Sequence, residues 1–317
     1  MKIVLSGLGG MGRCHYAAWK EMPDVEVVAF VGVSESDRVF ASEQGKPVFP
    51  TITEACKAFP EADTVDITTP TYLHKKNVLE ALDSVRRVIV EKPCALSRKD
   101  AEEMFGRAEE KGASLVVAQV LRFTKEYSAL RSMVRGKTYG EVLDAVFTRL
   151  TEAPGWSAGG WLFDTEKSGG VAYDLHIHDL DAIVSVFGVP SGSEVSLKRS
   201  EGVDYDEYLS AVYSYPGFNV RAEAGWLKAS IPFTATYRVI FSNAVVVYDG
   251  KKLTAYPYSK EKVEYDLSYD KVIATGINVP PTGWYYEELC QIKKHFEQGG
   301  VSPVPADEVL SVLSMLE

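Results

Sequence analysis

Lys2-Ile3-Val4-Leu5-Ser6-Gly7-Leu8-Gly9-Gly10-Met11-Gly12 decides the fold of the first third of the chain. A short apolar run ends in G-x-G-x-x-G, and an amphipathic segment over residues 11–21 follows. Strand, glycine turn and helix in that order open a βαβ unit. The first glycine permits the tight turn, Gly9 lets backbone N–H groups approach a pyrophosphate, and Gly12 lets helix and strand pack closely. The helix start adds partial positive charge and unpaired donors. Gly7, Gly9, Gly10, Met11 and Gly12 are therefore the expected cradle of a dinucleotide.

The same rhythm continues outward. Apolar, β-branched runs at residues 2–6, 25–33, 64–69, 87–91 and 114–118 alternate with helical segments at 11–21, 36–44, 53–59, 72–84 and 97–111. Strands apolar on both faces and separated by helices imply a parallel sheet covered on both sides. Ser97 with Asp100 fits a helix cap, and Gly112 fits a helix end. The expectation is an α/β Rossmann domain, a doubly wound parallel sheet, over residues 1–121.

Beyond Arg122 the pattern changes. A helix over 124–135, a strand over 141–151, a Gly- and Trp-rich loop over 154–170 and a helix over 171–187 precede strand-like segments at 194–199, 208–215, 219–227, 234–241, 244–248 and 263–267. Turn signals at Tyr215-Pro216-Gly217-Phe218 and Ser242-Asn243 join neighbours directly, so these strands are expected to be antiparallel. Residues 122–317 are thus expected to form an α+β domain with an open, mainly antiparallel sheet. A helix over 284–298, expected to pack back on the first domain, and a last helical turn from Ala306 close the chain.

Composition bounds the function. The chain has 317 residues, 46% apolar and 25% charged, which fits a folded globule. Its 34 Lys and Arg against 44 Asp and Glu give a net charge of −10, with no basic stripe for a phosphate backbone, so nucleic acid is not an expected partner. The longest apolar stretch, near residues 114–121, falls short of the roughly 20 residues that span a bilayer. The amino terminus reads as a strand and not as a cleavable leader, and a cytoplasmic chain with no membrane partner is expected. Cys14, Cys56, Cys94 and Cys290 lie far apart and read as reduced packing residues.

At the end of the second strand the sequence runs Val31-Gly32-Val33-Ser34-Glu35-Ser36-Asp37-Arg38. An NAD site carries an Asp or Glu there, about 20 residues beyond the glycines, and Val33 occupies the place. Ser34 and Arg38 instead suit a 2′-phosphate, which guanidinium grips through two bonds, so NADP is favoured over NAD. The alternative keeps Arg38 as a solvated helix residue and gives the ribose to Glu35.

Two further segments join the glycine run: Val88-Ile89-Val90-Glu91-Lys92-Pro93, and Gly169-Gly170-Val171-Ala172-Tyr173-Asp174-Leu175-His176-Ile177-His178-Asp179. With Thr68-Thr69-Pro70-Thr71-Tyr72-Leu73-His74 and Trp161, they make the chain resemble the Gfo/Idh/MocA oxidoreductases over nearly its whole length. The resemblance implies an NAD(P)-dependent enzyme acting on a sugar, inositol or related polyol, with the substrate between the Rossmann domain and the open sheet. It further implies a homo-oligomer, dimer or tetramer, through that sheet. Lys92, Asp174 and His178 correspond to the family's catalytic positions, and Thr69, Pro70, His74, Glu91 and Lys92 border the cofactor. Lys92, Trp161, Asp174 and His178 would meet the substrate. Two departures are His176, an additional imidazole, and the missing acidic ribose binder.

These residue types suit the chemistry. Oxidising a secondary alcohol removes the hydroxyl proton while hydride leaves the same carbon, so the protein must position the carbon and handle one proton. Asp174 and His178 stand four apart on the expected helix and share a face. His178 is the expected proton acceptor, Asp174 its orienting partner, and Lys92 a fixed charge for the developing alkoxide. His176, two residues from His178, points elsewhere and suits a core-edge role. No metal is expected, because this spacing does not converge ligands. Trp161 fits a sugar-stacking platform or an anchor for its own loop equally well, His74 fits a cofactor neighbour or a packing residue, and Arg122 best fits a helix-end contact. Two alternatives stand beside the dehydrogenase: a catalytically silent sensor of the same fold, and an enzyme with tightly held NAD performing a net non-redox step such as glycoside cleavage.

Overall fold

Apolar runs alternate with helices through the first part of the computed structural model, which describes every residue but Asn278 and gives Ala158 by its backbone only. The chain divides into two units, one of residues 1–120 with 269–310 and the other of residues 121–268 with 311–317. The first begins β1 (Lys2–Ser6), α1 (Gly10–Lys20), β2 (Glu26–Val31), α2 (Glu35–Glu43), β3 (Val48–Phe49), α3 (Ile52–Ala58), β4 (Thr64–Ile67), α4 (His74–Leu82), β5 (Arg87–Glu91), α5 (Arg98–Glu110) and β6 (Ser114–Ala118). Its six strands pair in the order β3-β2-β1-β4-β5-β6, every pairing parallel. This is the doubly wound Rossmann sheet that the alternation implied. Val88, Ile89 and Val90 of β5 are fully buried, which is why that strand reads as a continuous apolar run. The strand order reverses between β1 and β4, so the turns that follow those two strands border the crevice where such sheets take ligands. β3 was not expected; with two residues, paired to Phe30 and Val31, it is too short to leave a pattern.

A buried charge cluster ties α1 to this sheet. His15 is fully buried, with Nδ1 3.0 Å from Asp66 Oδ2 and Nε2 3.1 Å from Glu91 Oε1. Trp19 donates from Nε1 to Asp66 Oδ2 at 2.7 Å. Burial alone depresses an imidazole pKa, but the Asp66 and Glu91 carboxylates, one on each ring nitrogen, hold that of His15 well above its ordinary value. The ring is an imidazolium that donates both ways.

The second unit contains α6 (Lys125–Arg135), β7 (Val142–Glu152), α7 (Thr165–Ser168), α8 (Ile177–Phe187), β8 (Gly192–Lys198), β9 (Tyr208–Tyr215), β10 (Phe218–Leu227), β11 (Thr234–Phe241), β12 (Ala244–Tyr248), β13 (Leu253–Pro257) and β14 (Val263–Tyr265). Its eight strands run β14-β13-β12-β11-β7-β10-β9-β8, antiparallel except for the parallel pair β7 and β10. β13 is a second unexpected strand. Its proline, Pro257, stands at the strand's last position, where a missing N–H does least harm. Phe147, Ala211, Tyr213, Ala222 and Val239 point into the core, and their strand neighbours alternate outward.

Two buried guanidinium forks hold α8. Arg122 donates from Nε and Nη2 to the two oxygens of Asp181, 2.7 Å each. Its expected helix-end contact is thus replaced by a carboxylate within α8, because a buried guanidinium requires a charged partner. Arg149 of β7 bonds both oxygens of Asp179 at 2.9 Å. The helix expected over residues 171–187 opens instead with a π-helical turn, Ala172–His176, before α8 begins. His176 is fully buried and its Nε2 lies 2.6 Å from the Tyr213 hydroxyl, the core role expected of it. Burial pushes its pKa down to about 4, so the ring is neutral.

Residues 269–310 return to the first unit. They include a bridge between Ile273 and Thr282 and then α9 (Trp284–Gln298), which packs on α1. Lys271 pairs with Glu21 at 2.7 Å, and Lys293 with Asp24 at 2.5 Å. The final turn expected at Ala306 is a full helix, α10 (Ala306–Ser314). Among the described residues no helix is long and apolar enough to cross a membrane.

The two buried histidines impose opposite pH slopes. His15 holds its proton more tightly folded than unfolded, so its stabilisation is complete below pH 6.5 and is lost as pH rises through the raised folded value. His176 is the reverse: the unfolded chain takes up a proton below 6.5 that the native ring refuses until about 4, so stability is lost as pH falls through that window. His15→Gln is expected to lower stability by about 3–5 kcal/mol at neutral pH and to flatten the alkaline decline. His176→Gln should flatten the acid decline. Urea unfolding followed by tryptophan fluorescence across the pH range checks both, and slopes unchanged from the parent chain would refute them.

Candidate active site

Backbone crowding explains the glycine turn. Gly7 has φ +95°, and a Cβ on it would stand 2.7 Å from the Thr69 nitrogen. A Cβ on Gly12 would stand 1.9 Å from the Gly7 oxygen, so no other residue lets α1 start this close to β1. Gly9 differs, because a Cβ there would meet nothing within 4 Å. It is the N-cap of α1 with no side-chain cap, and its open face adjoins the helix start. Two glycines filled by protein and one facing open space fit a pyrophosphate approaching the first-turn N–H groups. Gly10 is covered in another way: a Cβ on it would stand 2.6 Å from Cγ2 of Ile277, in the returning segment. Met11 is half-buried in the first turn of α1.

At the end of β2, the residues expected to take a 2′-phosphate are engaged locally. Ser34 caps α2, accepting from the Asp37 N–H at 3.1 Å. Asp37 Oδ2 in return accepts from the N–H groups of Val33 and Ser34 at 3.0 and 2.9 Å. The carboxylate missing at Val33 is therefore present in space, supplied by the first turn of α2 and used as a capping box. Arg38 bonds Glu35 and the Val33 carbonyl, both at 3.1 Å. Arg13 was not among the expected residues; its guanidinium lies 4.7 Å over the Phe40 ring and bonds Ser36 Oγ at 2.9 Å. Its place directly after Gly12 is the signal that could have found it.

The loops after β4 and β5 are brought together. His74 is buried, with Nδ1 2.7 Å from the Pro93 oxygen and Nε2 2.7 Å from the Thr69 oxygen. It thereby joins the turn of Thr69 and Pro70 to the segment of Glu91 and Lys92, and burial pushes its pKa below the ordinary imidazole value. Asn77 steadies the Thr69 hydroxyl at 3.0 Å. Lys92 follows the last residue of β5, and its N–H donates to Glu91 Oε2 at 3.0 Å. Gly7, Thr69 and Lys92 thus stand on one edge of one sheet, the carboxyl edge.

In the second unit, Gly169 and Gly170 have φ +74° and +67°, and a Cβ on Gly169 would overlap the Tyr173 ring at 2.4 Å. The double glycine lets the π turn start against that ring. Asp174 lies within the turn and His178 in the first turn of α8, and both are half-buried between the buried Leu175, His176 and Ile177. The expected four-residue spacing therefore crosses a wider helical turn, in which each N–H reaches five residues back. Trp161, half-buried, lies in a 3-10 segment shaped by Gly159 and Gly160 at φ +65° and +67°. No group of three or more His, Cys, Asp or Glu that could hold a metal occurs among the described residues.

A model described as "Oxidoreductase family, NAD-binding Rossmann fold" matches residues 1–119, and one described as "GFO/IDH/MocA C-terminal domain" matches residues 127–247. The chain is 29% identical to 1,5-anhydro-D-fructose reductase of Ensifer adhaerens over 179 residues, 56% of this chain and 54% of the reductase. It is 32% identical to 2,7-anhydro-N-acetylneuraminate hydratase of Escherichia coli (strain K12) over 130 residues, 40% of this chain and 34% of the hydratase. The chain thus spans about half, and about a third, of the length of these two relatives. A levoglucosan dehydrogenase solved with NADH and levoglucosan shares the fold, with a TM-score of 0.86 at 19% identity over 100% of this chain and 95% of that one. With both of the family's domains matched in order along one chain, this protein belongs to the Gfo/Idh/MocA oxidoreductases, and its first domain is an NAD-binding Rossmann fold.

Proposed function

We propose that the chain is an NADP-preferring dehydrogenase or reductase acting on a secondary alcohol or carbonyl of a sugar or polyol. The observation that carries this is Lys92 at the carboxyl end of β5, on the same sheet edge as the open Gly9 turn. A bound nicotinamide supplies the hydride acceptor or donor. Lys92 places a fixed positive charge where an alkoxide develops. In the oxidising direction His178 takes the hydroxyl proton, and Asp174 orients the ring or a neighbouring substrate hydroxyl. Trp161 supplies an apolar face for the sugar ring. Lys92→Met is expected to abolish turnover and His178→Ala to lower it by about 10²–10⁴, both with nucleotide affinity retained. Nucleotide fluorescence titration and the absorbance of the reduced cofactor across a sugar panel measure the two effects. Undiminished turnover in Lys92→Met would remove the mechanism.

The preference for NADP rests on Arg13 and Arg38 flanking the end of β2, where the nearest carboxylate, that of Asp37, already accepts two backbone N–H groups. NADPH is expected to bind at least about tenfold more tightly than NADH, a difference of about 1.4 kcal/mol, and Arg13→Ala with Arg38→Ala should erase the gap. Tighter binding of NADH by the parent chain would reverse the assignment.

The similarity to a hydratase supports a second reading, in which hydride leaves the substrate and returns, for a net non-redox product. Product analysis with catalytic cofactor separates it from the first. The partner we propose for the outer sheet face of the second unit is a second copy of the chain. Val146, Ser210 and Val212 are only half-buried there, beside the bonded set Thr148, Glu223 and Tyr208. Light scattering is expected to show a dimer or tetramer, which Val212→Arg weakens; a monomer at all concentrations would overturn it.

A further inference from the structure

We propose that His15 is a positioning residue that sets the direction in which Lys92 leaves the sheet. The proposal rests on the role given to Lys92 above. β5 ends at Glu91, so the N–H of Lys92 lies beyond the strand ladder, and the Glu91 side chain supplies its acceptor at 3.0 Å. The other oxygen of that carboxylate is held by His15 Nε2 at 3.1 Å. His15 is held in turn through Nδ1 by Asp66, at 3.0 and 3.2 Å, and Asp66 by the Trp19 indole at 2.7 Å. On the far side of Lys92, the Pro93 carbonyl oxygen lies 2.7 Å from Nδ1 of the buried His74. The peptide before Lys92 is therefore tied through Glu91 to His15, and the peptide after Pro93 lies against His74, so the backbone is held one peptide before Lys92 and two after it, which limits the torsions that aim its Cα–Cβ bond.

A role confined to gluing α1 onto the sheet would be met by the contact between His15 and Asp66 alone. Glu91 adds a second function, because one carboxylate reads the His15 ring and the Lys92 backbone together. A protonated ring is required, since a neutral imidazole donates from one nitrogen only. His15 thus connects the helix that opens with the dinucleotide turn to the residue that meets the reacting oxygen. Its neighbour from α9 is Tyr285, with ring centroids 6.5 Å apart.

The test uses the full-length chain with its lysines dimethylated in ¹³C, the Lys92 resonance being assigned by its loss in Lys92→Arg. His15→Gln and, as the milder change, Glu91→Gln are expected to displace the Lys92 resonance, while those of Lys75 and Lys293 stay in place. NADPH binding confirms that each variant is folded. Turnover should fall by about 100-fold, as for an ångström-scale misplacement of a reacting group, with nucleotide affinity unchanged. In the parent chain, ¹⁵N spectra of His15 should show both ring nitrogens protonated at neutral pH. An unmoved Lys92 resonance in folded His15→Gln and Glu91→Gln, or a neutral His15 ring, would overturn the proposal. Lys92→Met reports separately: if it keeps turnover while His15→Gln moves the resonance, the coupling stands and the catalytic role of Lys92 falls.

Discussion

The packing of Gly12 against the Gly7 carbonyl oxygen is the constraint from which the first unit's chemistry follows. At that separation α1 begins immediately where β1 ends, so its uncapped start lies on the sheet's carboxyl edge beside Thr69 and Lys92. The same placement carries the next helical turn down over the sheet and buries His15 between Asp66 of β4 and Glu91 of β5. A larger residue at either glycine would lift the helix, and both the nucleotide cradle and the buried charge cluster would be lost together.

The second unit uses charge inside its core in a comparable way. Removing a buried guanidinium or carboxylate from a matched pair costs about 3–5 kcal/mol, because the remaining charge is left without a partner. Two such pairs, Arg122 with Asp181 and Arg149 with Asp179, bracket the helix that carries His178. The helix is therefore fixed in rotation as well as position, since each fork requires its planar partner in one orientation. The π turn before it is then the place where the backbone adjusts, with the double glycine absorbing the unusual torsions.

Much of this was legible in the chain. β1, β5, β6, β9, β11 and β12 lie where alternation and apolar runs placed them, because each is either buried on both faces or has one face in the core. β3 and β13 escaped for definite reasons: one has two residues, and the other ends in a proline that a local rule counts against it. Motif spacing pointed to Gly7 through Gly12 and to Lys92, but a motif lists residues along a line. Asp66 and Ile277 acquire their neighbours only through tertiary packing, so no local pattern marks them, whereas Arg13 is marked only by its place directly after the glycine run. Ser34 shows the converse: its chemistry suited a phosphate, yet three residues on, Asp37 completes a helix cap with it.

The first unit is also split along the sequence, with the whole strand-rich insert lying between β6 and the returning α9. More than two hundred residues separate Lys20 at the end of α1 from Trp284, where α9 starts. At synthesis rates of about 5–20 residues per second, the outer side of α1 waits tens of seconds on the ribosome for its cover. During that interval the nascent nucleotide-binding half exposes apolar surface that only the returning α9 conceals, which makes synthesis of that helix itself a step in its maturation.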